Sequence, residues 1–184
     1  ERTLREHYLP PYRAGVEENA TAVMAAFNAV AGVPATGHAG LIRGVLKNEW
    51  KWPGLVVSDC ASVAELVAHG YAATGRDAAK TAMEAGVDLD APSKAYEHLL
   101  ELAEAGLVDL ETIDDAVRRV LRAKVRAGLF ERPYGRCSLE CEAEEHLRPE
   151  YRAESRRIAG RAIVLLKNAG GLLPLDRQRC GKAA

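Results

Sequence analysis

The chain has 184 residues, of which 48% are hydrophobic and 28% are charged, and its formal net charge is −1. This balance is typical of a folded globular protein and excludes an intrinsically disordered chain. No stretch reaches the roughly 18 consecutive apolar residues that a membrane-spanning helix needs. Because the first residue is Glu1 rather than Met, we expect a piece of a longer chain or a processed product, with no signal peptide at its start.

Short apolar runs predict buried strands, and the stretches between them have helical patterns. In chain order the sequence predicts a helix over residues 4–18 that Pro10 and Pro11 interrupt, a strand over 21–27, a helix over 39–50, a strand over 55–58, a helix over 77–84, a strand over 87–90, and helices over 93–105 and 112–127. The helix over 93–105 groups four residues on one face: Tyr96, Leu99, Leu100 and Ala103.

The stretch over residues 112–127 is the clearest helix. Thr112 and Asp115 have the spacing of a capping pair at its start, and Gly128 is a typical stop at its end. Apolar residues then recur at helical spacing and predict one buried face: Ile113, Val117, Val120, Leu121 and Val125.

Strands that alternate with helices predict βαβ units and a parallel sheet. Two architectures fit, a (β/α)8 barrel and an open doubly wound sheet. No glycine-rich phosphate-binding motif follows any of the strands, which argues against the nucleotide-binding versions. Three strands complete neither fold, since a (β/α)8 barrel takes about 250 residues.

Beyond residue 130 the sequence changes character. Residues 131–135 form a turn-rich break, residues 140–146 are acidic and loop-like, residues 149–161 predict a charged helix, and residues 162–166 predict a further strand. We therefore predict a boundary near residue 135, with domains over 1–135 and 136–184.

Charge is distributed unevenly along the chain. Residues 1–117 carry 9 Lys and Arg against 18 Asp and Glu, whereas residues 118–184 carry 16 against 8. A basic half can indicate nucleic-acid binding. Here the basic residues lie on two predicted helices rather than in one continuous run, so we favour solvated helix faces and predict no nucleic-acid partner.

The four cysteines are Cys60, Cys137, Cys141 and Cys180. Cys137 and Cys141, with His146 nearby, have a spacing that zinc sites use, but a structural zinc site needs a fourth ligand and none is evident. The cysteines therefore predict no metal site, and they leave disulfides and redox compartment open.

Polar residues at the ends of the predicted strands are the candidates for chemistry, because parallel α/β folds gather their reactive groups there. Asp59 directly follows the strand over 55–58. It is either a catalytic carboxylate or a cap of the next helix, which we expect near Val63. Asp88 and Asp90 alternate on one strand face. They form either a metal or acid/base pair, or a set of structural hydrogen bonds and a cap for the helix after Pro92.

Five segments, in this order along the chain, resemble motifs of glycoside hydrolase family 3. They cover residues 23–36, 54–59, 85–90, 113–134 and 163–175. Each motif alone is weak, but the ordered set covers nearly the whole chain. Glu65-Leu66 and His69-Gly70 are similar to the bacterial periplasmic β-glucosidase branch, and Ser58-Asp59-Cys60 resembles the β-xylosidase branch.

The resemblance implies a partial (β/α)8 TIM-type barrel over residues 1–135, followed by a linker and the opening helix and strand of a second α/β domain over 136–184. It implies a retaining exo-β-glycosidase that removes terminal non-reducing β-D-glucosyl or xylosyl residues. Asp59 corresponds to the nucleophile, whereas the glutamate acid/base belongs to the second domain and lies outside this chain. Met24, Phe27 and Cys60 correspond to positions at the sugar subsite.

Two positions depart from the family pattern. Phe27 stands where the family often has Tyr, and Cys60 stands where it commonly has Trp, which leaves little area for stacking on a sugar. The family's chemistry needs no cofactor and no metal. The substrate implied is a β-linked oligosaccharide or an aryl or alkyl β-glycoside, in a periplasmic or secreted location and without a membrane partner.

The alternative is a catalytically inactive truncated fragment, because the first barrel strands and most sugar-binding residues are absent. The partners implied are the missing barrel half and the second domain of the parent chain. A half-barrel leaves open strand edges and an uncovered apolar face, so we expect the isolated chain to be marginally stable and to associate.

Overall fold

The structure is a computed structural model that describes residues 1–135 and 137–175. The chain divides into two compact units, Glu1–Gly135 and Arg136–Ala184. The first unit contains a short parallel sheet with helices around it, and the described part of the second unit is helical.

The elements of the first unit follow one another along the chain. A π-helical segment (Leu4–Tyr8) leads into α1 (Leu9–Glu17), β1 (Ala22–Ala25), β2 (Ala29–Val30), β3 (Val33–Pro34), a 3₁₀ turn (Ala35–Gly37), a π-helical element (Gly40–Glu49), β4 (Leu55–Ser58), α2 (Glu65–Ala68), α3 (Gly75–Ala85), a 3₁₀ turn (Ala95–His98), α4 (Leu99–Glu104) and α5 (Leu110–Arg126).

The main sheet is parallel, as predicted. β1 and β4 pair in parallel, with Ala22 opposite Leu55 and Ala25 opposite Ser58. The predicted third strand over 87–90 is reduced to one parallel bridge between Val57 and Leu89. β2 and β3 form a small antiparallel hairpin that the sequence patterns did not indicate. Over the described residues the sheet remains open, with a helix following each of its first two strands.

The core is one cluster of side chains to which β1, β4, the Gly40–Glu49 element, α2, α3, α4 and α5 all contribute. Its centre is formed by side chains that are at most 2% exposed: Val56, Val63, Leu66, Ala78, Ala79, Ala82, Met83, Val87 and Leu102. Thr74 caps α3, since its side chain accepts from the backbone N–H of Asp77. Alanines on the buried face of α3 let this helix lie close to its neighbours.

Trp52 and Gly54, which directly precede β4, are in close contact. The indole of Trp52 is 3% exposed and donates from Nε1 to the carbonyl oxygen of Ala20 at 3.1 Å. A Cβ atom at position 54 would lie 2.1 Å from Trp52 Cζ2 and 2.8 Å from the carbonyl oxygen of Thr21. Glycine is therefore the residue that this packing accepts.

The π-helical segment and α1 form a nearly continuous helix at the start of the chain, so the predicted interruption at Pro10 and Pro11 is weaker than expected. Both prolines lie in the first turn of α1. The helix changes from π-helical to α-helical bonding at Leu9, just before them, so the prolines coincide with a change of helix type rather than with a break.

The predicted helix over 93–105 is divided. A 3₁₀ turn precedes α4. The tighter winding of this turn rotates the side chains that follow it, so the face of α4 that is buried differs from the predicted face. Leu102 is buried, whereas Leu100 is 72% exposed. The grouping of Leu100 with Tyr96 and Leu99 on one buried face is therefore wrong.

Helix α5 begins two residues before its predicted start. Asp109 is its cap and accepts from the backbone N–H of Glu111 at 3.1 Å, so the predicted Thr112–Asp115 capping pair is wrong. The predicted buried face is largely uncovered, since Val117, Leu121 and Val125 are each more than 40% exposed.

Two predictions in the second unit are also wrong. Residues 140–146, expected as a loop, lie largely within α6 (Leu139–Glu145), which Ser138 caps by accepting from Cys141 N at 3.1 Å. The strand expected over 162–166 does not form. The predicted charged helix is α7 (Pro149–Ala162), and residues 163–168 have no regular structure. A strand needs a neighbouring strand as its hydrogen-bond partner, and none pairs with residues 163–168 within the described part of the chain.

A 3₁₀ turn (Ala169–Gly171) is the last described element of the second unit. Across residues 1–135 and 137–175, none of the helices has the length and apolar character required to cross a bilayer.

Candidate active site

Asp59 lies directly after β4, at the carboxyl end of the parallel pair. Because Ala25 lies opposite Ser58, the residues that follow β1 and β4 emerge at the same edge of the sheet. The carboxylate is partly exposed, and its Oδ1 accepts from the backbone N–H of Cys60 at 2.7 Å. Helix α2 begins only at Glu65 and has no side-chain cap. The alternative reading of Asp59 as a helix cap is therefore wrong.

Ser58 connects this strand end with the segment after Leu89. Its side chain is buried, and its Oγ accepts from the backbone N–H of Ala91 at 2.8 Å. The same hydroxyl lies 3.0 Å from the carbonyl oxygen of Asp59. The backbone N–H of Ser58 donates to the carbonyl oxygen of Leu89 at 2.9 Å. Ser58 thus fixes the backbone immediately before Asp59.

Two further hydroxyls, those of Thr36 and Ser62, connect the segments that follow the two paired strands. Thr36 and Ser62 are 1% and 3% exposed. Thr36 Oγ1 lies 3.0 Å from Ser62 Oγ and 3.3 Å from the carbonyl oxygen of Ala26. Sequence reasoning missed these residues. Neither residue directly follows a predicted strand, and no local pattern of the sequence indicates the pair.

The residues predicted for the sugar subsite lie on the same two chain segments. Met24 is in β1, opposite Val57, and its side chain is 56% exposed. Phe27 follows β1 and is half-buried, and Cys60 follows Asp59 with an exposed free thiol. The strand pairing brings these segments side by side, and the role of the three side chains in sugar binding stays a prediction.

Asp88 makes structural contacts, which agrees with the hydrogen-bonding alternative. Its Oδ1 lies 2.5 Å from Lys47 Nζ, and its Oδ2 accepts from the backbone N–H of Val56 at 2.7 Å. Burial raises the pKa of Asp88 and lowers the pKa of Lys47. The contact between the two groups opposes both of these shifts, and Asp88 belongs to the core rather than to a catalytic pair.

Asp90 also has a structural partner set. Its carboxylate accepts from Ser93 Oγ at 2.7 Å and from the backbone N–H of Ala95 at 2.9 Å. These contacts stabilise the start of the 3₁₀ turn before α4. The expectation of a cap after Pro92 is consistent with them.

A cavity of about 580 Å³ lies beside β1, between the first helix and the Gly40–Glu49 element. Its walls are mainly apolar and include Tyr12, Met24, Val45 and Trp50, whereas Asp59 does not line it. The cavity therefore borders β1 and does not include the candidate nucleophile.

The cysteine pair gives no metal centre within the described ranges. Cys137 and Cys141 are free and exposed. No group of three or more His, Cys, Asp or Glu side chains with the arrangement of a metal site occurs in residues 1–135 and 137–175. Cys180 lies outside the described residues.

Comparison with known proteins identifies the family. Residues 1–123 match the sequence model described as "Glycosyl hydrolase family 3 N terminal domain". The chain is 39% identical over 177 residues to a periplasmic beta-glucosidase from Salmonella typhimurium, covering 92% of this chain and 23% of the relative. It is 34% identical over 177 residues to an exo-1,4-beta-xylosidase from Emericella nidulans, covering 94% and 23%.

Solved structures agree with the sequence relatives. The crystal structure of a beta-glucosidase from Listeria innocua matches with a TM-score of 0.78 and 40% identity, covering 95% of this chain and 24% of that one. The chain thus spans about a quarter of the length of the relatives it matches. The match favours the barrel over the open doubly wound sheet. The chain belongs to glycosyl hydrolase family 3, and its parallel strands are part of that family's TIM-type (β/α)8 barrel.

Proposed function

We propose that the chain supplies the nucleophile, Asp59, of a retaining exo-β-glycosidase that removes terminal β-D-glucosyl or xylosyl residues. The observation that carries this proposal is a partly exposed carboxylate at the carboxyl end of a barrel strand, held by backbone hydrogen bonds on both sides of its residue. Reactive groups of (β/α)8 enzymes lie at that end of the strands.

In the first step the Asp59 carboxylate attacks the anomeric carbon, and the bond from that carbon to the leaving oxygen breaks. An acid/base group protonates the departing oxygen, and water later releases the sugar from the aspartyl ester. Asp59 Oδ1 already accepts from Cys60 N, so Oδ2 is the oxygen that we assign to the attack. Because this donor is a backbone N–H, it orients the carboxylate without the entropic cost of ordering a mobile side chain.

The acid/base in this proposal is a glutamate of the second domain, outside this chain, as in the family pattern. Retention requires that its carboxyl group lie about 5–5.5 Å from that of Asp59. The substrate class is a β-linked oligosaccharide or an aryl or alkyl β-glycoside, which matches the printed names of the relatives, beta-glucosidase and exo-1,4-beta-xylosidase. Met24, Phe27 and Cys60 line the sugar subsite in this proposal.

The two units correspond, in this proposal, to the C-terminal part of the barrel and the start of the second domain. The remaining barrel strands and the rest of the second domain are the partners that complete the site. The Salmonella relative is named periplasmic, and this supports a periplasmic or secreted location for the whole enzyme.

A second candidate is a catalytically inactive part of such an enzyme. The observation that favours it is coverage, since the chain spans only 20–24% of its first eight curated relatives. Sugar-binding side chains on other strands are then absent from the isolated chain.

Hydrolysis of 2,4-dinitrophenyl β-glucoside separates the two candidates, because its leaving group departs without protonation. We expect the purified chain to release dinitrophenolate, Asp59→Asn to lose this release, and Asp114→Asn, an exposed carboxylate on α5, to retain it. Equal release by the chain and by Asp59→Asn would contradict the nucleophile assignment. No release by the chain would favour the inactive alternative.

A further inference from the structure

The turn that follows Asp59 is connected to a distant segment by the buried hydroxyl pair Thr36–Ser62. The two residues are 26 positions apart in sequence, and their oxygens lie 3.0 Å apart. A buried hydroxyl without a partner is unfavourable, so removal of the Thr36 hydroxyl would leave that of Ser62 without the partner described for it. The pair joins the 3₁₀ turn before the Gly40–Glu49 element to the loop after β4.

Ser62 also contacts the residue that bears the carboxylate. Its backbone N–H donates to the carbonyl oxygen of Asp59 at 3.1 Å. Ser62 is therefore held at its side chain by Thr36 and is bonded through its backbone to Asp59. A displacement of Ser62 would move the turn that sets the direction of the Asp59 side chain.

Ala61, one of the two residues between Asp59 and Ser62, adopts an unfavourable backbone conformation. Ala61 has a φ of 61°, in the left-handed region that residues with a Cβ atom avoid. Its N–H donates to the carbonyl oxygen of Ala91 at 2.9 Å. Such a conformation persists only where the surrounding contacts determine it. Here those contacts are the Ala91 carbonyl on one side and the Thr36–Ser62 pair on the other.

We propose that Thr36 and Ser62 are positioning residues that hold the Asp59 turn in its attacking geometry. This inference rests on the proposed role of Asp59 as nucleophile. Attack on an anomeric carbon is sensitive to placement, and a misplacement of about 1 Å lowers a rate by about 100-fold. Loss of the bridge should therefore lower the rate of glycosyl transfer to Asp59 more than it weakens sugar binding.

The test uses Thr36→Val, which keeps the side-chain shape and removes the hydroxyl, and Thr36→Ser, which restores the hydroxyl. Thr112→Val, on α5, is the matched control. Amide hydrogen exchange of the full chain, measured by NMR, reports on the turn without requiring activity. We expect the Ser62 and Cys60 amides to exchange about tenfold faster in Thr36→Val, as a lost hydrogen bond predicts, with α3 unchanged. Thr36→Ser should restore slow exchange.

Two exchange results would overturn the proposal. Unchanged Ser62 and Cys60 amides would show that the bridge does not hold the turn, and equal acceleration throughout the core would show a general loss of stability. Dinitrophenyl β-glucoside gives the second readout: we expect Thr36→Val to lower kcat with KM unchanged. If the wild-type chain releases no dinitrophenolate, the proposed function fails for the chain, while the exchange data still decide the positioning role.

Discussion

Lys47 and Asp88 place two opposite charges in the core of the first unit, with only 4% and 2% of their side chains exposed. Burial opposes both charges, as the raised pKa of Asp88 and the lowered pKa of Lys47 indicate. Their contact and the Val56 N–H offset this opposition. A pair of this kind adds little net stability, but removal of one partner leaves an uncompensated buried charge.

Lys47→Met should therefore destabilise the chain in a pH-dependent manner. Without the ammonium, the pKa of Asp88 rises further above its unfolded value. The folded state then keeps a proton that the unfolded state has lost, so the free energy of unfolding falls as pH rises through that interval. We expect a loss of about 3 kcal/mol at pH 8 and a smaller loss at pH 5, measured by urea unfolding.

Lys124→Met, which removes an exposed lysine of α5, is the control and should change little at either pH. A loss in Lys47→Met that is the same at pH 5 and pH 8 would show that Asp88 does not titrate between them, contrary to this account.

At the scale of elements, α5 is attached to the segment before β4 by arginine side chains. Arg119 Nη1 donates to the carbonyl oxygens of Trp52 and Gly54 at 3.0 and 2.9 Å, and Arg122 Nη1 donates to that of Pro53 at 3.0 Å. Arg119 Nε also donates to Asp115 at 2.9 Å. These bonds fix the helix against the start of the strand that carries Asp59 at its other end.

Arg119→Met should weaken this attachment, because two largely buried carbonyl groups would lose their charged donor. We expect the free energy of unfolding to fall by about 2 kcal/mol. The neighbouring Arg118 is 61% exposed and contacts Asp114 on the helix surface, so Arg118→Met should change stability by at most about 0.5 kcal/mol. Thermal unfolding of both variants measures the difference, and equal effects would contradict the attachment.

The elements also indicate what sequence patterns can predict. β1 and β4 could be predicted because each is a short run of apolar residues, which is a local signal. The place of Asp59 at the end of β4 followed from the point at which the second run ends. The start of α5 was missed because Asp109, rather than Thr112, supplies the cap. The Thr36–Ser62 pair was missed because it joins residues far apart in sequence, and no local pattern encodes which loops a fold brings together.

At the scale of the whole chain, a large share of the apolar surface has no cover within the described residues. Val117, Leu121 and Val125 form an exposed stripe on α5, and within residues 1–135 and 137–175 the parallel sheet has three adjacent strand segments. The matched relatives are about four times as long. A closed (β/α)8 barrel leaves no free strand edge and packs its helices on the strands, so we expect further elements of the family's fold to cover such surfaces.

The isolated chain should therefore self-associate through exposed apolar surface such as the α5 stripe. Sedimentation velocity should show the weight-average mass rising with concentration. Leu121→Glu together with Val125→Lys should reduce this rise, whereas Lys124→Glu, on the same helix, should leave it unchanged. A single monomer boundary for the wild-type chain over a 100-fold range of concentration, chosen to span weak association, would contradict the expectation.

The contact between Trp52 and Gly54 has a consequence for how this sequence can evolve. The indole occupies the space in which any side chain at position 54 would have to lie. A side chain introduced at position 54 alone would clash with the indole ring of Trp52. A smaller residue at position 52 alone would leave a cavity and remove the indole donor to the Ala20 carbonyl oxygen. Neither single substitution is favourable, so we expect positions 52 and 54 to change only together during evolution.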